Sequence, residues 1–298
     1  MDTGMTELVL GGDGLIGASL VCALRSAGHR VTSLDLRSGY DLRFADDAPF
    51  VACDRVWFLA WDTGGAKYIG DTHAQHGIYV NNCQLSSKVF DILARIDKPF
   101  LFVTSQLAGQ PNAYGLTKLL AEHWAARLGG KVARLWNVYG WERPDVKSHV
   151  VPDLVLSGLI KGRVCCRTNG AERRRFLYKD DCASALIRLF DGPRATADIG
   201  GSEWLTVRDV AGEVGRQLGV GVDLGQSEGI EVMVTPEDRL PDWQPTVTLS
   251  AGIAKVTSDA REYLLHANAA TTDGVSPETF AAAPWADIRR GALGISVS

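Results

Sequence analysis

Two hydrophobic periods alternate through the first two-thirds of the chain. Short apolar runs at residues 7–10, 30–36, 55–60, 99–104 and 131–136 have the length and the Val, Leu and Phe content of buried strands. Between them, residues 15–27, 73–96 and 113–128 repeat apolar side chains every three or four positions and predict helices. Strand and helix in strict succession require right-handed crossovers, so the strands should lie parallel in one sheet covered on both faces. This is an α/β, doubly wound architecture. After Gly140 the pattern loosens through Trp141-Glu142-Arg143-Pro144, then resumes with a helical stretch at 150–160 and a strand near 163–167. Thr206 and Asp209 have the spacing of a helix cap leading into a helix over 210–218. From Gly221 onward the chain is rich in Gly, Ala, Thr and Asp with weak periodicity, and its pattern specifies no chemistry. The expected division is a nucleotide-binding domain over residues 1–145, with return segments near 174–202, and a smaller lobe from 146–173 and 203–298.

Composition narrows the partners. Thirty-one Lys and Arg against 35 Asp and Glu leave a formal charge of −4, with no polybasic patch for nucleic acid or anionic membrane, so a small molecule is the expected ligand. No run of eighteen apolar residues and no leader pattern is present, which predicts a soluble, cytoplasmic chain. The six cysteines (Cys22, Cys53, Cys83, Cys165, Cys166, Cys182) lack metal-ligand spacing; they read as reduced, structural thiols, and no metal is expected.

Two motifs carry the chemistry. Gly11-Gly12-Asp13-Gly14-Leu15-Ile16-Gly17 follows the first strand and opens the first helix. Glycine at 11, 14 and 17 lets the chain turn sharply, brings backbone N–H groups to a pyrophosphate and packs the helix close to the sheet, the signature of dinucleotide binding. Asp35 ends the second strand, where a carboxylate accepts hydrogen bonds from the adenosine ribose and repels a 2′-phosphate, which favours NAD over NADP; Arg37, two residues on, softens the preference. Asp41-Leu42 follows as a candidate for the adenine edge. Farther along, Tyr114 and Lys118 stand one helical turn apart on one face, so the ammonium can sit beside the phenol and favour its ionised form.

With the ordered set formed by the glycine turn, Asp35, Leu59-Ala60, Asn81-Asn82, residues 99–109, Tyr114 to Lys118, the run 134–140 and the run 174–181, the chain resembles the extended short-chain dehydrogenase/reductases, the NAD-dependent nucleotide-sugar epimerases and dehydratases typified by UDP-glucose 4-epimerase. The resemblance covers residues 5–215 and implies a Rossmann domain with a smaller C-terminal substrate-binding lobe. It implies NAD as cofactor, held by Gly11, Gly14, Leu15, Ile16, Gly17, Asp35, Asp41, Leu42, Leu59, Ala60, Asn82, Tyr114 and Lys118. It assigns Tyr114 as the acid/base on a sugar hydroxyl and Lys118 to the nicotinamide ribose and to lowering the phenol pKa. The Pro, hydroxyl and Tyr-Gly pattern laid over 99–109 puts the catalytic hydroxyl on Thr104, with Ser105 as the fallback, although Val103 and Ala108 depart from that pattern. The separation of Thr104 from Tyr114 is also shorter than the family's. Asn137 and Arg174, with Thr104 and Ser105, are the implied contacts to a nucleotide-diphosphate sugar. Gln106 replaces the ionisable group that relatives place there for elimination, and an amide does not titrate in the working range, which argues for simple oxidation and reduction. Trp57 and Trp61 read as packing residues, Trp61 opening a loop over 62–67 that can face a sugar. The expected activity is C4 epimerisation through a transient 4-keto sugar. The alternatives are a nucleotide-sugar 4-ketoreductase and a non-catalytic redox sensor. Homodimerisation through the helices at 73–96 and 113–128 is also implied.

Overall fold

A computed structural model describes residues 4–272, with side chains to residue 266. Six strands form one parallel sheet: β1 (Thr6–Leu10), β2 (Arg30–Leu34), β3 (Arg55–Phe58), β4 (Phe100–Ser105), β5 (Lys131–Leu135) and β10 (Thr196–Ile199), in the spatial order β10-β5-β4-β3-β1-β2. The chain runs from β1 outward to β2, then crosses back to the other side of β1 to lay down β3. That reversal leaves a crevice at the carboxyl ends of β1 and β3, where open α/β sheets take their ligands.

Strand alternation sorts the core into two layers. Leu8, Leu10, Val56, Phe58, Phe100 and Phe102 pack under α4 (Gln75–Ile96) and α5 (Ala113–Arg127), together with Val89, Phe90, Leu93, Ala121 and Ala125. Val9, Trp57, Leu101, Val103, Ala133 and Leu135 face the opposite way, against α1 (Leu15–Ser26) and α7 (Lys179–Asp191). The doubly wound sheet expected from the two periods is therefore present. Beneath its amino-terminal edge, the fully buried Glu7 carboxylate accepts from Arg55 Nε at 2.8 Å to both oxygens and from Trp57 Nε1 at 2.8 Å, with Asp191 on the far side of the guanidinium.

A third apolar cluster joins α6 (Val150–Lys161), α8 (Val207–Leu218) and α9 (Leu249–Thr272) through Val151, Leu154, Val155, Val210, Val214, Ile253 and Val256. Thr206 and Asp209 close a reciprocal capping box at the start of α8, as their spacing predicts. The expected helix at 73–96 is present as α4 from Gln75 to Ile96, preceded by a short α3 (Ala66–Gly70) that the pattern did not mark. Sequence pattern gave no sign of α9. The remaining elements are the short helix α2 (Ala48–Val51) and three pairs of short strands. They are β6 (Val138–Tyr139) with β9 (Leu177–Tyr178), β7 (Arg163–Cys165) with β12 (Gly221–Asp223), and β8 (Arg173–Arg174) with β11 (Leu205–Thr206). Among the described residues no helix is long and apolar enough to cross a membrane. The last part of the lobe expected over 203–298, residues 273–298, lies outside the described residues.

Candidate active site

The glycine turn is built as a cradle. Gly11 sits at φ +87°, and a Cβ there would lie 2.7 Å from the Ala60 nitrogen; one on Gly17 would lie 2.0 Å from the Gly11 carbonyl. Only glycine lets β1, the loop after β3 and the start of α1 come this close. Gly14 stands at the N-cap of α1 with no side chain capping the helix, so Leu15, Ile16 and Gly17 begin the helix with N–H groups directed toward the crevice. Leu59 and Ala60 both donate from their backbone nitrogens to the Leu10 carbonyl, at 3.0 and 2.8 Å, fixing the second wall.

Asp35 follows the last residue of β2 and is nearly buried. Its carboxylate accepts from the Asp13 and Arg37 backbone nitrogens at 3.1 and 2.8 Å, tying it to the cradle. Arg37 Nη1 donates to the Asp13 carbonyl at 2.6 Å, so the residue that would soften the NAD preference is engaged by the glycine loop itself. Asp41 and Leu42 are differently employed. Arg43 grips the Asp41 carboxylate through Nε and Nη2 and holds it below the usual carboxylate range, chiefly by side-chain hydrogen bonding, while the Leu42 side chain is buried in the core under α4. The Leu42 side chain thus faces the core, because its strand-to-helix connection turns inward at that residue.

The loop after β3 is pinned from α4. Asn82, fully buried, accepts from the Asp62 nitrogen at 2.7 Å and donates to the Asp62 carbonyl at 3.1 Å. Asn81 donates to the Asp62 carboxylate at 2.8 Å. That carboxylate also receives Lys147 Nζ at 2.6 Å and the Tyr68 hydroxyl at 3.0 Å, and the Gly65 nitrogen donates to the Lys147 carbonyl at 2.7 Å. Two loops, 61–65 and 145–149, are clasped together beside the crevice.

Tyr114 and Lys118 share the buried face of α5, as their spacing requires. The connection from β4 is short, residues 106–112, and Asn112 caps the helix by accepting from the Gly115 nitrogen at 2.8 Å. The hydroxyls of Ser105 and Thr63 lie close enough to the phenol to act on its titration. Burial pushes the Tyr114 pKa up, and those two hydroxyls oppose it. Burial also holds the Lys118 ammonium well below the usual lysine range, against the charge of Glu122. Lys118 Nζ donates to the Val103 carbonyl at 2.7 Å and faces the rings of Trp61 and Phe102. In the protein alone, burial pushes both groups toward their neutral forms, against the charge effect that the one-turn spacing suggests.

The structure places Ser105, not Thr104, beside the phenol. Thr104 lies on the strand face of Phe100 and Phe102, and its hydroxyl is buried with no hydrogen-bond partner among the described residues. Thr63 is a second hydroxyl that sequence reasoning did not single out; its only signal is its place in the loop after Trp61. Gln106 Nε2 donates to the Asn137 side chain at 3.1 Å, which also accepts from the Arg175 nitrogen at 3.3 Å, so Asn137 is anchored within the protein. Arg174 lies on β8 and donates to the carbonyls of Arg173, at 2.8 Å, and Ile230. It is separate from the phenol cluster, toward the segment around 230. The residues fit a dinucleotide: an open glycine cradle, an uncapped helix start, a carboxylate at the end of β2, and a Tyr/Lys pair one turn apart near the crevice.

Similarity searches place this geometry among known proteins. Residues 7–200 match the model of the NAD dependent epimerase/dehydratase family. The curated proteins give no match. Among solved structures, the epimerase Mth375 of Methanothermobacter thermautotrophicus superposes with a TM-score of 0.74 at 19% identity, covering 88% of this chain and 93% of the other. The NAD-dependent NDP-hexosamine 5,6-dehydratase TunA of tunicamycin biosynthesis gives 0.74 at 21%, covering 87% and 98%. The UDP-glucuronic acid 4-epimerase of Bacillus cereus, in complex with UDP-glucuronic acid and NAD, gives 0.71 at 19%, covering 87% and 100%. With the cradle, the carboxylate of β2 and the Tyr/Lys helix in place, and the family match running over most of the sheet, the chain belongs to the NAD dependent epimerase/dehydratase family, whose cofactor is NAD.

Proposed function

We propose that the protein is a nucleotide-sugar epimerase acting at C4 with tightly held NAD. The observation that carries this reading is the make-up of the phenol's surroundings. Two hydroxyls, those of Ser105 and Thr63, act on the Tyr114 phenol, and the residue after Ser105 is an amide held by Asn137. A site with one proton carrier is suited to moving one proton with one hydride, as reversible oxidation of a secondary alcohol requires; elimination of water needs a second carrier.

Bound NAD supplies the hydride acceptor and donor. Tyr114 Oη takes the proton of the sugar hydroxyl as its carbon is oxidised and returns it on reduction. Ser105 and Thr63 orient the phenol and stabilise charge on its oxygen. Lys118 holds the nicotinamide ribose and adds a positive charge near the phenol. Gly11, Gly14, Leu15, Ile16 and Gly17 hold the pyrophosphate, Asp35 the adenosine ribose, and the backbone at Asp41 and Leu42 the adenine edge. Leu59, Ala60 and Asn82 shape the nicotinamide end. Arg174 offers its guanidinium to the substrate diphosphate after giving up the Ile230 carbonyl, and Asn137 keeps the floor of the pocket in register. C4 epimerisation would require the oxidised sugar to turn within the pocket before reduction, with Tyr114 returning the proton to the same oxygen.

A homodimer completes the reading. Leu116, Leu119, Leu120 and Trp124 on α5 and Tyr79 on α4 are large apolar residues left about half exposed. A helix with Tyr114, Lys118 and Ala121 buried on one side and leucines exposed on the other is built to be covered twice.

The activity test is incubation of purified protein with UDP-, GDP-, CDP- and dTDP-sugars, uronic acids included, without added cofactor, following the anomeric protons by NMR. Conversion of one sugar to its C4 epimer, lost in Tyr114→Phe with cofactor binding retained, is the expected result. No conversion across the panel, with turnover of a keto-sugar on addition of reduced cofactor, identifies a ketoreductase instead.

A further inference from the structure

The Lys118 amine is buried, and burial works against its charge. Its Nζ has one carbonyl acceptor, Val103 at 2.7 Å, and Glu122 acts on it by charge alone while being gripped by Arg134. Its closest neighbour of another kind is an aromatic face: the Trp61 ring centroid lies 4.1 Å away, nearer than that of Phe102 at 4.8 Å. The indole is set by ring contacts, 5.6 Å and T-shaped on Phe102 and 6.2 Å and tilted on Phe58. Its Nε1 is buried with no hydrogen-bond partner among the described residues. A buried indole N–H normally finds an acceptor, so no polar contact at the ring edge dictates this orientation. Turning the π face onto the ammonium does account for it, because indole is the strongest of the aromatic cation acceptors and the attraction grows when both partners are out of water.

We propose that Trp61 is a positioning residue that seats the Lys118 side chain against β4 by offering its π face to the amine. The inference rests on the place of Lys118 in the site and not on the choice of sugar or reaction. Glu122 on α5 acts on Lys118 by its charge and is itself held by Arg134, Tyr114 shares the buried face of α5, and β4 contributes the Val103 carbonyl and the Phe102 ring.

The test is the titration of Lys118 in the full chain labelled with ε-13C lysine, its signal assigned by its loss in Lys118→Met. Loss of a desolvated cation–π contact of this kind lowers the lysine midpoint by about one pH unit, a tenfold fall in the ionised fraction above it. Trp61→Leu should show that shift, and Trp61→Phe, which keeps a π face, less than half of it. Trp61→Met is run beside Trp61→Leu as an apolar side chain flexible enough to refill the space. In the unmutated chain the Trp61 indole resonance, assigned through its connectivity to the Trp61 backbone, should move through the lysine midpoint and stay still in Lys118→Met, a reading that survives if the Trp61 variants fail to fold. Coincident midpoints in Trp61→Leu and the parent, an equal shift in Trp61→Phe, or an indole signal blind to the lysine would each overturn the proposal.

Discussion

Exchanging the two adjacent hydroxyls at the end of β4 separates the geometry from the sequence pattern. Ser105→Ala removes one of the two hydroxyls that act on the Tyr114 phenol, and Thr104→Val removes a buried hydroxyl with no hydrogen-bond partner among the described residues. A hydrogen bond to a group carrying charge in the reaction contributes roughly 1.5–3 kcal/mol, so Ser105→Ala should lower kcat by about 10- to 150-fold, with Thr63 retaining part of the function. Thr104→Val is nearly isosteric and relieves an unsatisfied group whose desolvation costs about 1–3 kcal/mol. It should leave kcat within about threefold and raise the melting temperature by about 2–6 °C, taking the scaling for a chain of this size. The assays are initial rates on the nucleotide sugar identified by NMR, under saturating NAD, and thermal melts by circular dichroism in the absence of substrate. A Thr104→Val enzyme as impaired as Ser105→Ala, or a Ser105→Ala enzyme at full rate, would refute the assignment of Ser105.

Three other perturbations probe the charge layout and the helix surface. Lys118→Met replaces a desolvated ammonium by an apolar chain of similar length, so it should abolish turnover yet raise the melting temperature at neutral pH. The lysine pKa is depressed in the folded state, so the unfolded chain binds the extra proton; the parent gains stability as pH rises from the folded midpoint toward about 10.5, and the advantage of Lys118→Met should shrink over that window. An advantage that grows with pH would contradict the desolvation. Glu7→Gln leaves the Arg55 guanidinium buried with only the half-exposed Asp191 as a counter-charge and should cost about 3–5 kcal/mol in urea unfolding; a loss below about 1 kcal/mol would show that the buried pair is not holding the edge of the sheet. A Leu116→Glu, Leu120→Glu double variant should run as a monomer by light scattering where the parent runs as a dimer, and a monomeric parent would remove the role assigned to that face.

Much of the sheet and of the cradle was legible because both rest on local rules. Strand and helix periods are written in every few residues, and the glycines at 11 and 17 answer to close approaches between neighbouring elements. The hydroxyl that lies beside the phenol was less so. Along β4 the side chains alternate, and Thr104 shares the face of Phe100 and Phe102 while Ser105 turns toward the phenol at the strand's end; a motif laid over the sequence carries no such parity when the following connection is short. The Lys118 effect on Tyr114 was inferred from spacing, which gives the shared face but not the depth of burial that sends both groups toward their neutral forms. Helix α9 was missed because its buried positions, such as Ile253, Val256 and Ala260, are set among Ser, Thr, Gly and Ala, which leave a weak stripe.

The seven residues joining β4 to α5 have a consequence for how this protein can change. Ser105 and Tyr114 hang from opposite ends of a chord too short to admit an insertion without moving one of them, so the reacting centre travels as a single rigid unit. On the proposed function, discrimination among substrates would be written elsewhere, in the clasp that joins residues 61–65 to 145–149 through Asp62 and Lys147 and in the long segment around Arg174 and Ile230. Diversification of substrate in descendants of this chain should accumulate in those loops while the chord keeps its length.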